Sequence, residues 1–222
     1  VNYDALVESK AELDKLNALS AKVSPEDKRR EKADYKRFFS IANKHQVFYS
    51  EKSGFYKYFA GVIEYLLAHS NLTIHYITSD PKDAIFQKAE REPRIKPYYI
   101  GVHLYHLMMK MDADIVVMTI PDLDNFHIKC SYVRKDIEYI YMFHWITSTY
   151  MIIREGAFDH FDTVLYSGPC QITELQRAEE LYGTPKGNLV DAGYGLIETL
   201  EQQYQQMERQ TYNCLQLLIG PS

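Results

Sequence analysis

The 222-residue chain is short of most features that fix a function class at a glance. It has only three cysteines, Cys130, Cys170 and Cys214, odd in number and far apart. With no CxxC pair, neither a disulfide framework nor a zinc site is indicated, and a reducing cytosol fits best. Positive charge is scarce: 25 Lys and Arg stand against 30 Asp and Glu, a net charge of −5. A protein that neutralises a phosphate backbone needs the opposite balance, so no nucleic-acid partner is expected. No apolar run reaches the roughly 18 residues of a membrane span, and no signal-peptide pattern is visible. No Walker A loop and no GxSxG nucleophile elbow occurs. Gly193-x-Gly195 is only a piece of a dinucleotide fingerprint. Position 198 is Glu where the third glycine belongs, and the motif falls late in the chain, not in the first βα unit. No metal and no organic cofactor is expected.

What is present is the balance of a globular α/β protein: 46% hydrophobic and 25% charged residues, which argues against disorder. The 19 tyrosines favour strands and half-buried surfaces. Residues 1–44 read as an N-terminal helical hairpin. Leu6, Leu13, Leu16 and Val23 fall on one stripe of the first helix. Ser24-Pro25-Glu26-Asp27 then opens a second, with serine as cap, proline at the first helical position and an acid three residues after the cap. Tyr35, Phe38, Phe39 and Ala42 share one face of that helix. Lys28, Arg29, Arg30, Lys32, Lys36 and Arg37 share the other. A solvated face is the plain reading; attraction to the inner, anionic face of a cell membrane is the alternative.

From residue 45 short apolar runs alternate with helical stretches. The runs lie at 46–50, 72–78, 98–100, 114–119, 137–143, 163–166 and 189–192. Helices are expected near 55–69, 82–91, 102–111, 148–156, 170–182 and 196–212. This alternation predicts a Rossmann-like α/β domain over 45–216, a parallel sheet with helices on both faces. In such a sheet ligands collect beyond the carboxyl ends of the strands. The loops there are Glu51-Lys52-Ser53-Gly54, Ser79-Asp80-Pro81, 121–127, His144-Trp145 and Ser167-Gly168-Pro169. Each is also ordinary turn chemistry. What raises them above it is that polar residues recur at the same end of several strands. Asp122 and Asp124 are paired carboxylates suited to a polyol hydroxyl, a metal or a helix cap. His103 and His106 share a helix face without a third ligand at metal spacing, and read as surface or core histidines.

Four stretches resemble the CDP-glycerol:poly(glycerophosphate) glycerophosphotransferase family of teichoic-acid enzymes. They are Val47-Phe48-Tyr49-Ser50 through Gly54-Phe55-Tyr56, and Ile74-His75-Tyr76-Ile77-Thr78-Ser79-Asp80-Pro81. Next come Tyr141-Met142-Phe143-His144 with Phe161-Asp162-Thr163-Val164-Leu165-Tyr166-Ser167 about twenty residues on, and the run from Asn188 to Gly195. Leu217-Leu218-Ile219-Gly220-Pro221-Ser222 is similar to the strand and turn that open the family's second domain. The resemblance implies the N-terminal, acceptor-side half of a GT-B-like fold, with a donor-binding domain starting at 217–222. It implies a CDP-glycerol or similar CDP-alditol donor, bound mainly by that second domain, and a polyol-phosphate or lipid-linked acceptor. It assigns His144 as general base. Ser53, Gly54, Asp80, Asp122, Asn125 and Trp145 are the acceptor-side residues that the loops then offer. Where the family has His-Gly-Thr with a lysine soon after, this chain has His144-Trp145-Ile146-Thr147 and no lysine close behind. The competing readings are a GT-B glycosyltransferase using a nucleotide sugar and a non-catalytic binding or scaffolding domain.

Overall fold

A computed structural model describes residues 23–42, 44–150, 153–183 and 187–207. The first helix of the expected hairpin and the 217–222 segment lie outside the described residues. The elements are α1 (Pro25–Phe39), β1 (Lys44–Ser50), α2 (Tyr56–His69), β2 (Ile74–Thr78), α3 (Ile85–Arg91), β3 (Ile95–Tyr99) and α4 (Leu104–Met109). They continue with β4 (Ala113–Met118), β5 (Glu138–Met142), β6 (Thr163–Tyr166), α5 (Pro169–Tyr182), β7 (Asn188–Asp191) and α6 (Gly195–Gln206). All seven strands are parallel, in the order β3-β2-β1-β4-β5-β6-β7. This is the Rossmann-like doubly wound sheet that the alternation predicted.

The period-2 geometry of the strands sorts the core onto two faces. Val47, Tyr49, Ile77, Tyr98, Val116 and Tyr141 point to one face, where Phe38 of α1, Leu107 and Met108 of α4 and Leu175 of α5 cover them. Phe48, Tyr76, Ile95 and Val117 point to the other, beneath Phe59 and Ile63 of α2 and Ile85 of α3. Strands covered on both sides read as unbroken apolar runs, which is why they were visible in the sequence.

β3 is longer than the expected 98–100 because Pro97 interrupts its pattern. Proline is tolerated there because β3 is an edge strand. The edge is closed by α1, whose Ser24 Oγ accepts the Asp27 N–H at 3.0 Å to start the helix. Asp34 accepts the Tyr99 N–H at 2.9 Å. Glu31 accepts those of Gly101 and His103 at 3.0 and 2.8 Å. Arg37 donates to the Pro97 carbonyl and lies over the Tyr98 ring at 4.2 Å. Arg30 donates to the Pro81 carbonyl and stacks on Phe86 at 3.8 Å. The basic face of α1 is therefore split. Lys28, Arg29, Lys32 and Lys36 are exposed without a hydrogen bond or ion pair to the sheet among the described residues, whereas Arg30 and the exposed Arg37 bind the domain.

The helix expected at 148–156 is not formed by its described residues. The Ile153 N–H donates to the Thr149 carbonyl at 2.9 Å. The flanking groups are taken elsewhere. Glu174 accepts from Ser148 Oγ and the Thr149 N–H, both at 2.6 Å. Arg154 pairs with Asp122 at 2.7 Å. These contacts, distant in sequence, fix the described residues where the local helix propensity is weak. No helix among the described residues is long and apolar enough to cross a membrane.

Candidate functional site

From β1 the chain winds one way, to β2 and β3; from β4 it winds the other, to β5, β6 and β7. The crossovers therefore part between β1 and β4, and the cleft above their carboxyl ends is the topological switch point. Buried polar atoms without a hydrogen-bond partner cluster on this side. Thr119 Oγ1 follows β4, His144 Nδ1 and Trp145 Nε1 follow β5, and Ser167 Oγ follows β6. A buried polar group usually has a partner, because losing water uncompensated costs about 1–3 kcal/mol. Four such atoms over three adjacent strand ends form a polar rim suited to hydrogen-bonding a ligand.

The His144 segment is held rigidly. Gln171, fully buried on α5, donates to the carbonyls of Trp145 and Thr147 at 3.1 and 3.3 Å while accepting the Ser167 N–H at 2.8 Å. One side chain thus joins the β5 and β6 rims. Tyr194 Oη donates to the His144 carbonyl at 2.9 Å. The half-buried imidazole sits among Phe55, Tyr58 and Trp145, with ring centroids 5.3, 5.4 and 4.2 Å away. Burial, and then the Lys52 ammonium, push its pKa down to about 4, so the ring is neutral at pH 7.

The loop after β1 reaches across the rim. Asp80 Oδ2 accepts the Ser53 N–H at 3.2 Å, and Asp80 Oδ1 accepts the Lys82 N–H at 2.8 Å. Ser53 and Asp80 are thus brought together, and Gly54 (φ 89°) supplies the left-handed turn that sends Phe55 toward His144. Glu51 stands close enough to Tyr49 and Tyr141 to disfavour their phenolates, and burial raises its own carboxyl.

The 121–127 loop is committed to its own architecture. Asp122 and Asp124 adopt φ of 67° and 62°. Asp122 is held by a two-pronged contact with Arg154, at 2.7 and 2.8 Å. Asn125 Nδ2 donates to the Gly156 carbonyl at 2.8 Å, and Asp124 Oδ1 accepts the Cys130 N–H at 3.1 Å. His103 Nδ1 lies 3.2 Å from Glu31, and its ring is 6.5 Å from that of His106. Among the described residues, no group of three or more His, Cys, Asp and Glu could hold a metal ion.

No family model, curated protein or solved structure matches the chain. The functional reading rests on the residues. Sequence reasoning reached His144 and Trp145, the polar rim after β5. The strand-end loops it named also contain Lys52 and Ser167, but it missed Thr119, Gln171 and Tyr194 as members of the same site. Thr119 stands just past the carboxyl end of β4, so the strand-end rule could have found it too. Gln171 and Tyr194 carry no local signal. Two hollows, of about 700 and 400 Å³, lie at the amino ends of the strands. Neither is lined by Thr119, His144, Trp145 or Ser167.

Proposed function

We propose that this domain is the acceptor side of a transferase that moves glycerol phosphate, or a related alditol phosphate, from a CDP-linked donor to a polyol-phosphate acceptor of the teichoic-acid type. The observation that carries the reading is the neutral, half-buried His144 on a rim of unpartnered polar atoms at the switch point. The four-stretch resemblance supports the substrate class.

In this reaction an acceptor hydroxyl attacks the phosphorus that bears glycerol. The new O–P bond forms as the bond to the CMP oxygen breaks, and CMP departs. A hydroxyl is a weak nucleophile at neutral pH, so a base within hydrogen-bond reach must take its proton. His144 is neutral and able to accept it. Negative phosphate entering the cleft favours imidazolium, raising the pKa from about 4 toward the working range. Lys52, whose charge the imidazole feels, would offset the charge gathering on the phosphoryl oxygens. It stands in for the lysine that the sequence lacks after His144. Gln171 and Tyr194 position the segment by holding its carbonyls.

The test is CMP release from CDP-glycerol by the intact protein with a glycerol-phosphate oligomer as acceptor. His144→Ala is expected to cut turnover at saturating donor by about 10²–10⁴-fold and to leave donor affinity unchanged. Near-parental turnover would return His144 to a structural role. Turnover of a nucleotide sugar in place of CDP-glycerol would move the reading to glycosyl transfer.

A further inference from the structure

At the opposite rim, where β1, β2 and β3 begin, a cavity of about 700 Å³ opens between the sheet and the segment that follows α1. Its size is that of a small-molecule site. Its walls come from Ile41, His45, the 70–73 loop, His75 and Lys96. The parallel register places His75 directly beside Lys96 on β3 and Val47 on β1. His45, two residues before Val47, lies on the same face as both.

Several basic groups surround this hollow, and one of them, Lys96, is left without a carboxylate partner among the described residues. His75, only 4% exposed, feels the cations Lys44, Lys96 and Arg37, in that order, with His45 beside them. The carboxylates nearby are engaged. Asp114 holds His45 at 2.6 Å, Asp34 holds Arg37 at 2.7 Å, and Asp112 attracts Lys44, whose Nζ also donates to the Ile41 carbonyl at 2.8 Å. Among the described residues, no carboxylate lines the cavity. Lys96 has no ion-pair or hydrogen-bond partner among the described residues, and neither does the Thr73 hydroxyl. His75 Nδ1 is spent on Tyr98 Oη at 3.0 Å, so its Nε2 is the nitrogen left for a ligand. Ile41 and Leu72 add apolar wall.

We propose that this cavity binds a small organic anion, a phosphate or carboxylate head on a compact uncharged body. The head takes Lys96, Thr73 and the imidazole of His75. The body lies against Ile41 and Leu72. Apolar wall with a few convergent polar groups is the usual make-up of a small-ligand site, and the lysine left without a carboxylate partner selects the charge. The site is independent of the His144 cleft, since it sits at the other ends of the strands.

The test is an NMR titration of the 15N-labelled protein, in buffer free of phosphate and carboxylate, with phenyl phosphate, benzoate and inorganic phosphate in separate arms. Saturable shifts are expected at the amides of Thr73, His75 and Lys96 and on the His75 ring. Phenyl phosphate or benzoate should bind more tightly than inorganic phosphate, and the tighter of the two identifies the head group. Lys96→Gln, on a half-exposed edge-strand position, is expected to weaken binding about tenfold by losing one charge-assisted contact. Leu72→Trp fills the hollow with every charge in place and should abolish saturation. Shifts that sodium chloride reproduces, no saturation with either aromatic anion at about 10 mM, or unchanged affinity in Lys96→Gln would each overturn the proposal.

Discussion

An imidazole removed from water resists protonation, and the effect reaches from the single residue to the stability of the fold. His75 is buried beside cations, and its pKa falls to about 4. In the unfolded chain the same ring titrates at about 6.5. Between these values the unfolded chain takes up a proton that the folded chain refuses. The contribution is therefore full above pH 6.5 and is lost as pH falls through the window toward 4. Asp83 and Glu51, whose carboxyls burial raises, act with the opposite sign, so the comparison must be with a variant. His75→Phe is expected to lose less stability than the parent between pH 6.5 and 4, by about 2 kcal/mol, in denaturant titrations at each pH. Equal slopes would mean that His75 titrates normally. Nothing in the sequence marked His75 for this role. It reads as one polar letter in a strand, and its burial follows from α1 lying across the edge of the sheet.

At the scale of the element, α1 shows how a charged stretch can serve as an edge cap. Its cap residue and aromatic stripe were legible, because both depend on spacing of three and four residues. The fate of its charges was not. Glu31 and Asp34 fall on the same turn-to-turn row as Phe38 and are buried with it, 1% and 9% exposed. They meet backbone N–H groups that a parallel edge strand and the following turn would otherwise leave unpaired. Removing the acceptor strands two donors, so Glu31→Ala should lower unfolding stability by about 2–3 kcal/mol. Glu31→Gln keeps an acceptor oxygen and should cost clearly less. Equal losses in the two variants, measured by chemical denaturation, would show that charge and not hydrogen bonding matters. In 148–156, Glu174 and Asp122, distant in sequence, hold the described residues in place through Ser148, Thr149 and Arg154.

On the scale of the whole molecule, the domain offers one strand-end rim and, in its described residues, neither a phosphate-binding glycine loop nor an arginine cluster on that rim. Phosphoryl transfer needs positioning and charge stabilisation on both sides of the reacting phosphorus. The 222-residue chain alone is therefore expected to show no appreciable affinity for CDP or CDP-glycerol, as read by calorimetric titration. Micromolar binding would place the donor site here and overturn the proposed division between donor and acceptor sides.

Hydrophobic alternation by itself determined the seven strands, the α/β class and a sheet buried on both faces. These follow from local periodicity and need no knowledge of neighbours. The strand-end rule also put His144 and Trp145 beyond β5, since a residue just past a parallel strand must emerge at that rim. Only the tertiary structure decided strand order, and with it the switch point between β1 and β4. Only it could set Lys52 beside His144, fasten that histidine's loop with Gln171 and Tyr194, and pair Asp122 with Arg154. The partners in these contacts lie between 24 and 92 residues apart in the chain. Side-chain hydrogen bonding and desolvation act over a few ångströms of space, and the fold alone decides which distant residues come within that range.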